Sequence, residues 1–253
     1  MRSIDLSGKT ALVLGVANQR SLAWAIADAL GQAGCGLAFT YQGERLQKNV
    51  AGLAEKYPGS PVIECDVTDE RQVSAVFSEL HRLDFLIHSV AFAPREALEG
   101  EFRKTTREGW TTALDVSAYS FVDLANRAAD LMNDGGSVIG LTYMASQRVM
   151  PNYNVMGSAK AALEHAVRQL AYELGPKNIR VNAISAGPVP TLSARGISGF
   201  SGMATHHREK APLQRSIEPR EVGDAALFLC SDLASGVTGE IIHVDAGYNI
   251  MAI

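Results

Sequence analysis

Seven short apolar runs recur along the chain: ALVLG (11–15), GLAFTY (36–41), PVIEC (61–65), DFLIHS (84–89), SVIGLT (137–142), IRVNAIS (179–185) and EIIHV (240–244). Near-continuous apolar strands suit a parallel sheet buried on both faces, since a half-exposed strand would alternate in polarity. The segments between them, such as 21–34, 69–80, 117–133, 152–174 and 218–232, are long enough to be crossover helices. This alternation predicts an α/β fold, a doubly wound seven-stranded parallel sheet with right-handed crossovers. No internal repeat, low-complexity tract or Pro/Gly/Ser linker divides residues 1–253, so a single domain is expected.

Composition narrows the function classes. Of 253 residues, 47% are hydrophobic and 20% charged, enough for a sizeable core and too apolar for intrinsic disorder. A net charge of −4 argues against a partner held by broad phosphate neutralisation, so no nucleic acid is expected. Cys35, Cys65 and Cys230 are widely spaced and form no CxxC, so they read as small buried hydrophobes in a reducing compartment. Asp5 and Lys9 precede a run of about six apolar positions, which is not the pattern of a signal peptide. No apolar stretch approaches the roughly 18 residues of a membrane span, and a soluble cytoplasmic protein is expected.

Residues 187–210, GPVPTLSARGISGFSGMATHHREK, break the alternation with glycines, prolines and serines and carry no firm helix or strand pattern. A connection this long in a compact domain is usually functional or disordered. Its place after the sixth strand puts it at the carboxyl edge of the sheet, where ligands bind in open α/β folds, so it reads as a lid. The six histidines show no HExxH spacing, the pair His206-His207 reads as solvated lid, and no metal is expected.

Gly15 closes the first strand, and Ser21-Leu22-Ala23 opens the following helix. The turn suits a phosphate cradle or an ordinary strand-to-helix connection; its place in the first βαβ unit favours the cradle. At the end of the second strand, Gln42 is neutral, Glu44 would repel a 2′-phosphate and Arg45 would attract one, a balance that favours NADH over NADPH. Asp66, after the third strand, is placed to accept from an adenine amino group with Val67 against the ring, or to cap the next helix together with Thr68 and Asp69.

Tyr143, Tyr153 and Lys160 straddle the fifth strand and its following helix. Seven helical residues turn through roughly 700°, about 20° short of two turns, so Tyr153 and Lys160 share a face about 10 Å apart along the axis. A lysine there supplies fixed positive charge beside a ligand. Taken on spacing alone, the pair is also compatible with a half-buried tyrosine and a snorkelling lysine.

With these residues in view, the chain resembles the short-chain dehydrogenase/reductase superfamily and, within it, the bacterial NADH-type enoyl-acyl-carrier-protein reductases. The resemblance runs through GVANQRSLAWAIA, FTYQGERL, CDVTD, IHSVAFAPRE, YMASQRVMPNYNVMGSAKAAL, RVNAISAGPVPTLSARGI and VDAGYNIM. It implies a Rossmann-type domain that reduces trans-2-enoyl thioesters of acyl carrier protein with NADH in fatty-acid synthesis, as a homotetramer. By the same resemblance Tyr153 stabilises the developing enolate, Tyr143 flanks the substrate and Lys160 anchors the cofactor ribose. It also sets Ser89, Val90 and Ala93 beside nicotinamide and substrate, Val189, Pro190, Thr191, Leu192 and Ser193 against the cofactor, and Met156, Phe200 and Met203 around the acyl chain.

Ketone-reducing relatives carry Tyr four residues before the Lys and Ser thirteen before that Tyr; here those positions are Met156 and Tyr143. Pro190 stands where many relatives have Arg and has no N–H to donate. Asp115 replaces an Asn common among ketone reducers, and SELHRLDF is shorter than usual before the fourth strand, which is expected to trim a surface turn. Two other readings stay open: a carbonyl reductase of the same superfamily with another proton donor, and a non-catalytic dinucleotide-binding regulatory protein.

Overall fold

Every predicted strand forms, and all seven pair in parallel in the order β3-β2-β1-β4-β5-β6-β7. The computed structural model describes residues 4–252, apart from the side chains of Ser193 and Arg195. The strands are β1 Thr10–Leu14, β2 Gly36–Tyr41, β3 Val62–Glu64, β4 Phe85–His88, β5 Gly136–Thr142, β6 Ile179–Ala186 and β7 Ile241–Val244. After β3 the chain crosses back to lay β4 against β1, with Ala11 opposite Phe85 and Leu14 opposite His88. The carboxyl ends of β1 and β4 therefore diverge at a topological switch point, where this fold opens a crevice.

Burial on both faces accounts for the apolar strands. One face packs Val13, Phe39, Ile87 and Ile184 against α1 (Leu22–Gln32) and α9 (Pro219–Cys230). The other packs Leu12, Leu86, Val138 and Val181 against α3 (Glu70–Glu79), α6 (Ser120–Ala129) and α7 (Asn154–Leu174). Alternate residues of one strand thus feed two cores. All three cysteines are free and buried.

The helical pattern is richer than the sequence predicts. Four further helices form: α2 (Glu44–Ala54), the single turn α4 (Arg95–Leu98), α5 (Arg107–Leu114) and α8 (Phe200–Lys210). Residues 187–210 are therefore not irregular throughout, because their second half is helical. The sequence hides α8 because FSGMATHHREK has no apolar stripe and begins beside Gly199 at φ 79°. Between α5 and α6 the residues Asp115–Tyr119 form a π-helical turn. The short 80–84 connection lies at the amino end of the sheet, away from the crevice. There Asp84 accepts from the Thr10 N–H and from Lys9.

Candidate active site

The first turn is built around a close approach of two strand ends. Gly15 has φ 93°, and a Cβ on it would lie 2.1 Å from the Ser89 carbonyl oxygen. No larger residue fits where β1 meets the loop after β4. Ser21 does not cap α1; its hydroxyl donates to the Asn18 carbonyl at 2.6 Å, and the helix has no side-chain cap. The first N–H groups of α1, starting at Leu22, are thus left for a ligand, with the positive end of the helix dipole behind them. A cavity of about 400 Å³ opens beside this turn, lined by Asn18, Gln19, Arg20, Asn49, Leu53, Pro190 and Leu192. The structure thereby brings Pro190 and Leu192 across from the α1 entrance. It also adds Arg20 and Asn49, which the sequence reading missed because Asn49 lies on the unpredicted α2.

At the far end of β2 the Gln42 amide donates to Asp66 Oδ2 at 2.8 Å. Asp66 Oδ1 accepts from the Thr68 N–H and hydroxyl. Burial pushes the Asp66 carboxyl up, but the bonds from Thr68 and Gln42 outweigh it and hold the group below the usual range. Asp69, not Asp66, caps α3, accepting from the Arg71 N–H. Val67 is half-buried beside Asp66.

Tyr153 is the N-cap of α7 and precedes its first full turn, at φ −118°. The seven-residue spacing to Lys160 is therefore helical over all but its first step. Flanking asparagines fix it: Asn152, at φ 61°, donates to the Ser198 carbonyl at 2.9 Å, and Asn154 donates to Gly100 O at 3.2 Å. The Ser198 hydroxyl also donates to Glu99. The entry to α8, the loop after α4 and the start of α7 are thus tied together around Tyr153. Gly157 allows α7 to close on the turn after β5, since a Cβ there would meet the Ala145 carbonyl oxygen at 2.8 Å.

The Tyr143 and Tyr153 rings meet edge to face, 5.2 Å apart and inclined at 62°. Burial raises both phenols above their ordinary range, with Tyr143 adding to the effect on Tyr153. Both are hydrogen-bond donors at neutral pH. Lys160 is 5% exposed, and its Nζ donates to the Leu141 carbonyl at 2.8 Å. Burial draws the ammonium down to about 8, with Glu164 opposing the shift. Two of its three N–H donors remain.

Met156 is buried in a small cluster with Ala93, Val155 and Ala159, against which Tyr153 packs. No hydroxyl stands at position 156. Ser89 and Val90 are half-buried on the loop after β4, and the next residues of that loop are joined to the π turn: Phe92 N–H donates to Ser117 Oγ at 3.1 Å. That turn has no periodic signature in the sequence, since it depends on one extra residue per helical turn. Val189 is buried, Thr191 half-buried and Leu192 exposed, while the Ser193 side chain lies outside the described residues. Phe200 opens α8, and Met203 Sδ accepts from the Tyr143 hydroxyl at 3.4 Å.

His206-His207 is not a uniformly solvated pair. His207 is 3% exposed, stacked on Tyr248 at 4.5 Å, with Nε2 lacking a hydrogen-bond partner among the described residues. Burial lowers its imidazole, against an opposing pull from Asp245. His88 is wholly buried, donates from Nε2 to Ser120 Oγ at 2.8 Å, and is drawn down to about 3 by burial and by Lys160. The Ser120 hydroxyl donates to Val116 O, which leaves its oxygen to accept and fixes the proton of neutral His88 on Nε2.

Comparison with known proteins agrees with this geometry. A family model described as enoyl-(acyl carrier protein) reductase matches residues 15–249. Enoyl-acyl-carrier-protein reductase (NADH) 1 of Rhizobium meliloti is 49% identical over 248 residues, 96% of this chain and 91% of that protein. The FabI protein of Bacillus subtilis is 46% identical over 256 residues, 99% of each chain. Among solved structures, the Bacillus cereus enoyl-acyl carrier protein reductase with NADP+ and an indole naphthyridinone superposes with a TM-score of 0.96 at 49% identity, covering 98% of this chain and 100% of that one. The Anaplasma phagocytophilum reductase in complex with NAD gives 0.94 at 43% identity, covering 100% and 98%. The chain belongs to the enoyl-(acyl carrier protein) reductase family.

Proposed function

We propose that this protein reduces the trans-2 double bond of enoyl thioesters on acyl carrier protein, using NADH, in fatty-acid elongation. The observation that carries the reading is a protonated, half-buried Tyr153 at the head of the helix that holds Lys160, with Met156 where a carbonyl reductase would need its tyrosine. The reductases at 46–49% identity described above support it.

The residues fit a dinucleotide. Gly15, the uncapped N-terminus of α1 at Ser21 and Leu22, and Pro190 to Ser193 would hold the pyrophosphate side, Gln42, Asp66 and Val67 the adenosine side, and Ser89, Val90, Val189 and Lys160 the nicotinamide riboside. When bound, NADH supplies the hydride that the β-carbon of the enoyl group receives. Negative charge then moves to the thioester oxygen, where the Tyr153 hydroxyl donates a hydrogen bond worth on the order of 3 kcal/mol to the transition state. The Lys160 ammonium, held by Leu141 O, lends positive charge to the same region. A proton added at the α-carbon completes the reduction. Ala93, Tyr143 and Met156 would line the acyl side, with Phe200 and Met203 covering it from above.

In this reading residues 1–253 form one catalytic domain with 187–210 as substrate lid, working as a cytoplasmic homotetramer. Among the described residues no helix is long and apolar enough to cross a membrane. Loss of the near-ultraviolet absorbance of reduced nicotinamide with a crotonyl thioester, but not with a ketone panel, is the expected result. Turnover of ketones alone would favour a carbonyl reductase, and NADH binding without turnover a regulatory protein. Light scattering on the purified protein tests the tetramer.

A further inference from the structure

Glu164 lies on α7 one turn beyond Lys160 and is 4% exposed. Its Oε1 accepts from the Thr142 hydroxyl at 2.8 Å and the Ser146 hydroxyl at 2.6 Å, and Oε2 from the Gln147 amide at 3.5 Å. All three donors belong to the stretch that ends β5 and carries Tyr143. Lys160 and Glu164 are one helical turn apart, a rise of about 6 Å, and both are buried, so opposite charges there oppose the cost of burying the ammonium. The Lys160 ammonium points at Leu141 O, so the coupling runs through space.

We propose that Glu164 is a positioning residue for the reaction: its carboxylate pins the Tyr143 turn to the helix bearing Lys160, and its negative charge keeps Lys160 cationic beside the cofactor ribose. The inference rests on the assignment of Lys160 made above. A glutamine here would keep the Oε1 acceptor for both hydroxyls and lose only the long contact from the Gln147 amide, so it separates the charge from the pinning.

The surroundings leave Glu164 as the anion that acts on Lys160 among the described residues. Tyr153 on the same helix and Tyr143 beyond β5 are neutral phenols, and His88 on β4 is neutral. β6 packs Val181 and Ala183 into the core it shares with α7, while Arg180 and Asn182 bond to Val237 O on the other side. On α4, α5 and the π turn, Arg95, Glu96, Arg107, Glu108 and Asp115 are exposed. On α6, Asp123 is engaged by Arg127, and on α7 Arg168 donates to the Glu164 main-chain carbonyl.

The test is Glu164→Gln, which keeps the Oε1 acceptor and removes the charge. In protein labelled with carbon-13 at lysine Cε and free of cofactor, the resonance absent from Lys160→Met identifies Lys160. Its titration midpoint is expected to fall by about one pH unit in Glu164→Gln, a tenfold change in proton affinity. The NADH dissociation constant, followed by fluorescence, should weaken about fivefold near pH 8, approach a tenfold loss well above it, and converge with the parent near pH 6. An unchanged Lys160 midpoint overturns the proposal, as does a loss of NADH affinity that is equal at every pH. If the midpoint falls while NADH affinity stays constant, the charge coupling stands and the assignment of Lys160 to the cofactor fails. Should Glu164→Gln not fold, the carbon-13 carboxyl resonance of Glu164 in the unaltered protein decides: it must inflect at the pH where Lys160 titrates, and no inflection there overturns the proposal.

Discussion

The Tyr143 hydroxyl donates to the sulfur of Met203 at 3.4 Å, joining the end of β5 to the helix α8 that covers it. Tyr143 also meets the Tyr153 ring, so α8 and Tyr153 share one neighbour. Met203→Ala should therefore loosen α8 and raise KM for an acyl thioester several-fold, with NADH affinity little changed. Hydrogen exchange across 187–210 should slow when cofactor and an acyl ligand are both bound, since residues over a closing site come from the less stable part of a fold. Unchanged protection, or a Met203→Ala enzyme with the parent KM, would count against a gating role.

Tyr153 and Lys160 should separate on substitution. Tyr153→Phe keeps the edge-to-face packing and removes the hydroxyl, so kcat should fall by about 100-fold with NADH affinity nearly constant. Lys160→Ala removes a charged donor worth about 1.5 to 3 kcal/mol and should weaken NADH by roughly 10- to 100-fold. Lys160→Met controls for packing of the stem. Calorimetric NADH affinity and steady-state rates decide, and a Tyr153→Phe enzyme that loses NADH affinity while Lys160→Ala keeps it would reverse the two roles.

What the sequence made legible follows from periodicity. The strands were readable because residues such as Leu12 and Val13 enter opposite cores and leave an unbroken apolar run. Helix α8 was hidden, since a helix packed through Met203 and His207 needs no continuous apolar stripe. The spacing of Tyr153 and Lys160 sets them on one helix face, and the resemblance gives them roles, yet the points that fix this segment are main-chain carbonyls of Leu141, Ser198 and Gly100, brought close only by the fold. The same holds for Gly15, read as leaving room for a phosphate, whose missing Cβ leaves room for the Ser89 carbonyl.

Two buried imidazoles predict an acid-sensitive fold. His88 and His207 are neutral in the folded state, whereas an unfolded histidine titrates near 6.5. Below that pH the unfolded chain binds more protons, so stability is full above about 6.5 and declines as pH falls toward about 3 for His88. Each histidine contributes a slope of up to about 1.4 kcal/mol per pH unit. Between pH 6.5 and about 5 most carboxylates stay ionised, which isolates the histidine contribution. The urea midpoint should drop across this window, and His207→Gln should flatten the drop. Equal slopes for the variant and the parent would show that His207 takes up its proton without unfolding.

Cofactor choice turns on the Gln42–Asp66 bond of 2.8 Å. Gln42 spends a donor on Asp66, whose carboxyl is held ionised, and Glu44 opens α2 immediately beyond. A 2′-phosphate delivered to the end of β2 would meet two carboxylates, of which the half-buried Asp66 is screened less by salt than the exposed Glu44. NADH should therefore have the higher kcat/KM, and a tenfold preference corresponds to about 1.4 kcal/mol. The Bacillus cereus relative was solved with NADP+, so this preference rests on residues of this chain. Asp66→Asn should narrow the gap between the cofactors by weakening the repulsion, at some cost to NADH itself. Equal or better turnover of the parent enzyme with NADPH would overturn the prediction and direct attention to Arg45 on α2 or Arg20 beside the cavity as the phosphate ligand. Arg45→Ala and Arg20→Ala, compared with NADPH, would then identify which cation compensates.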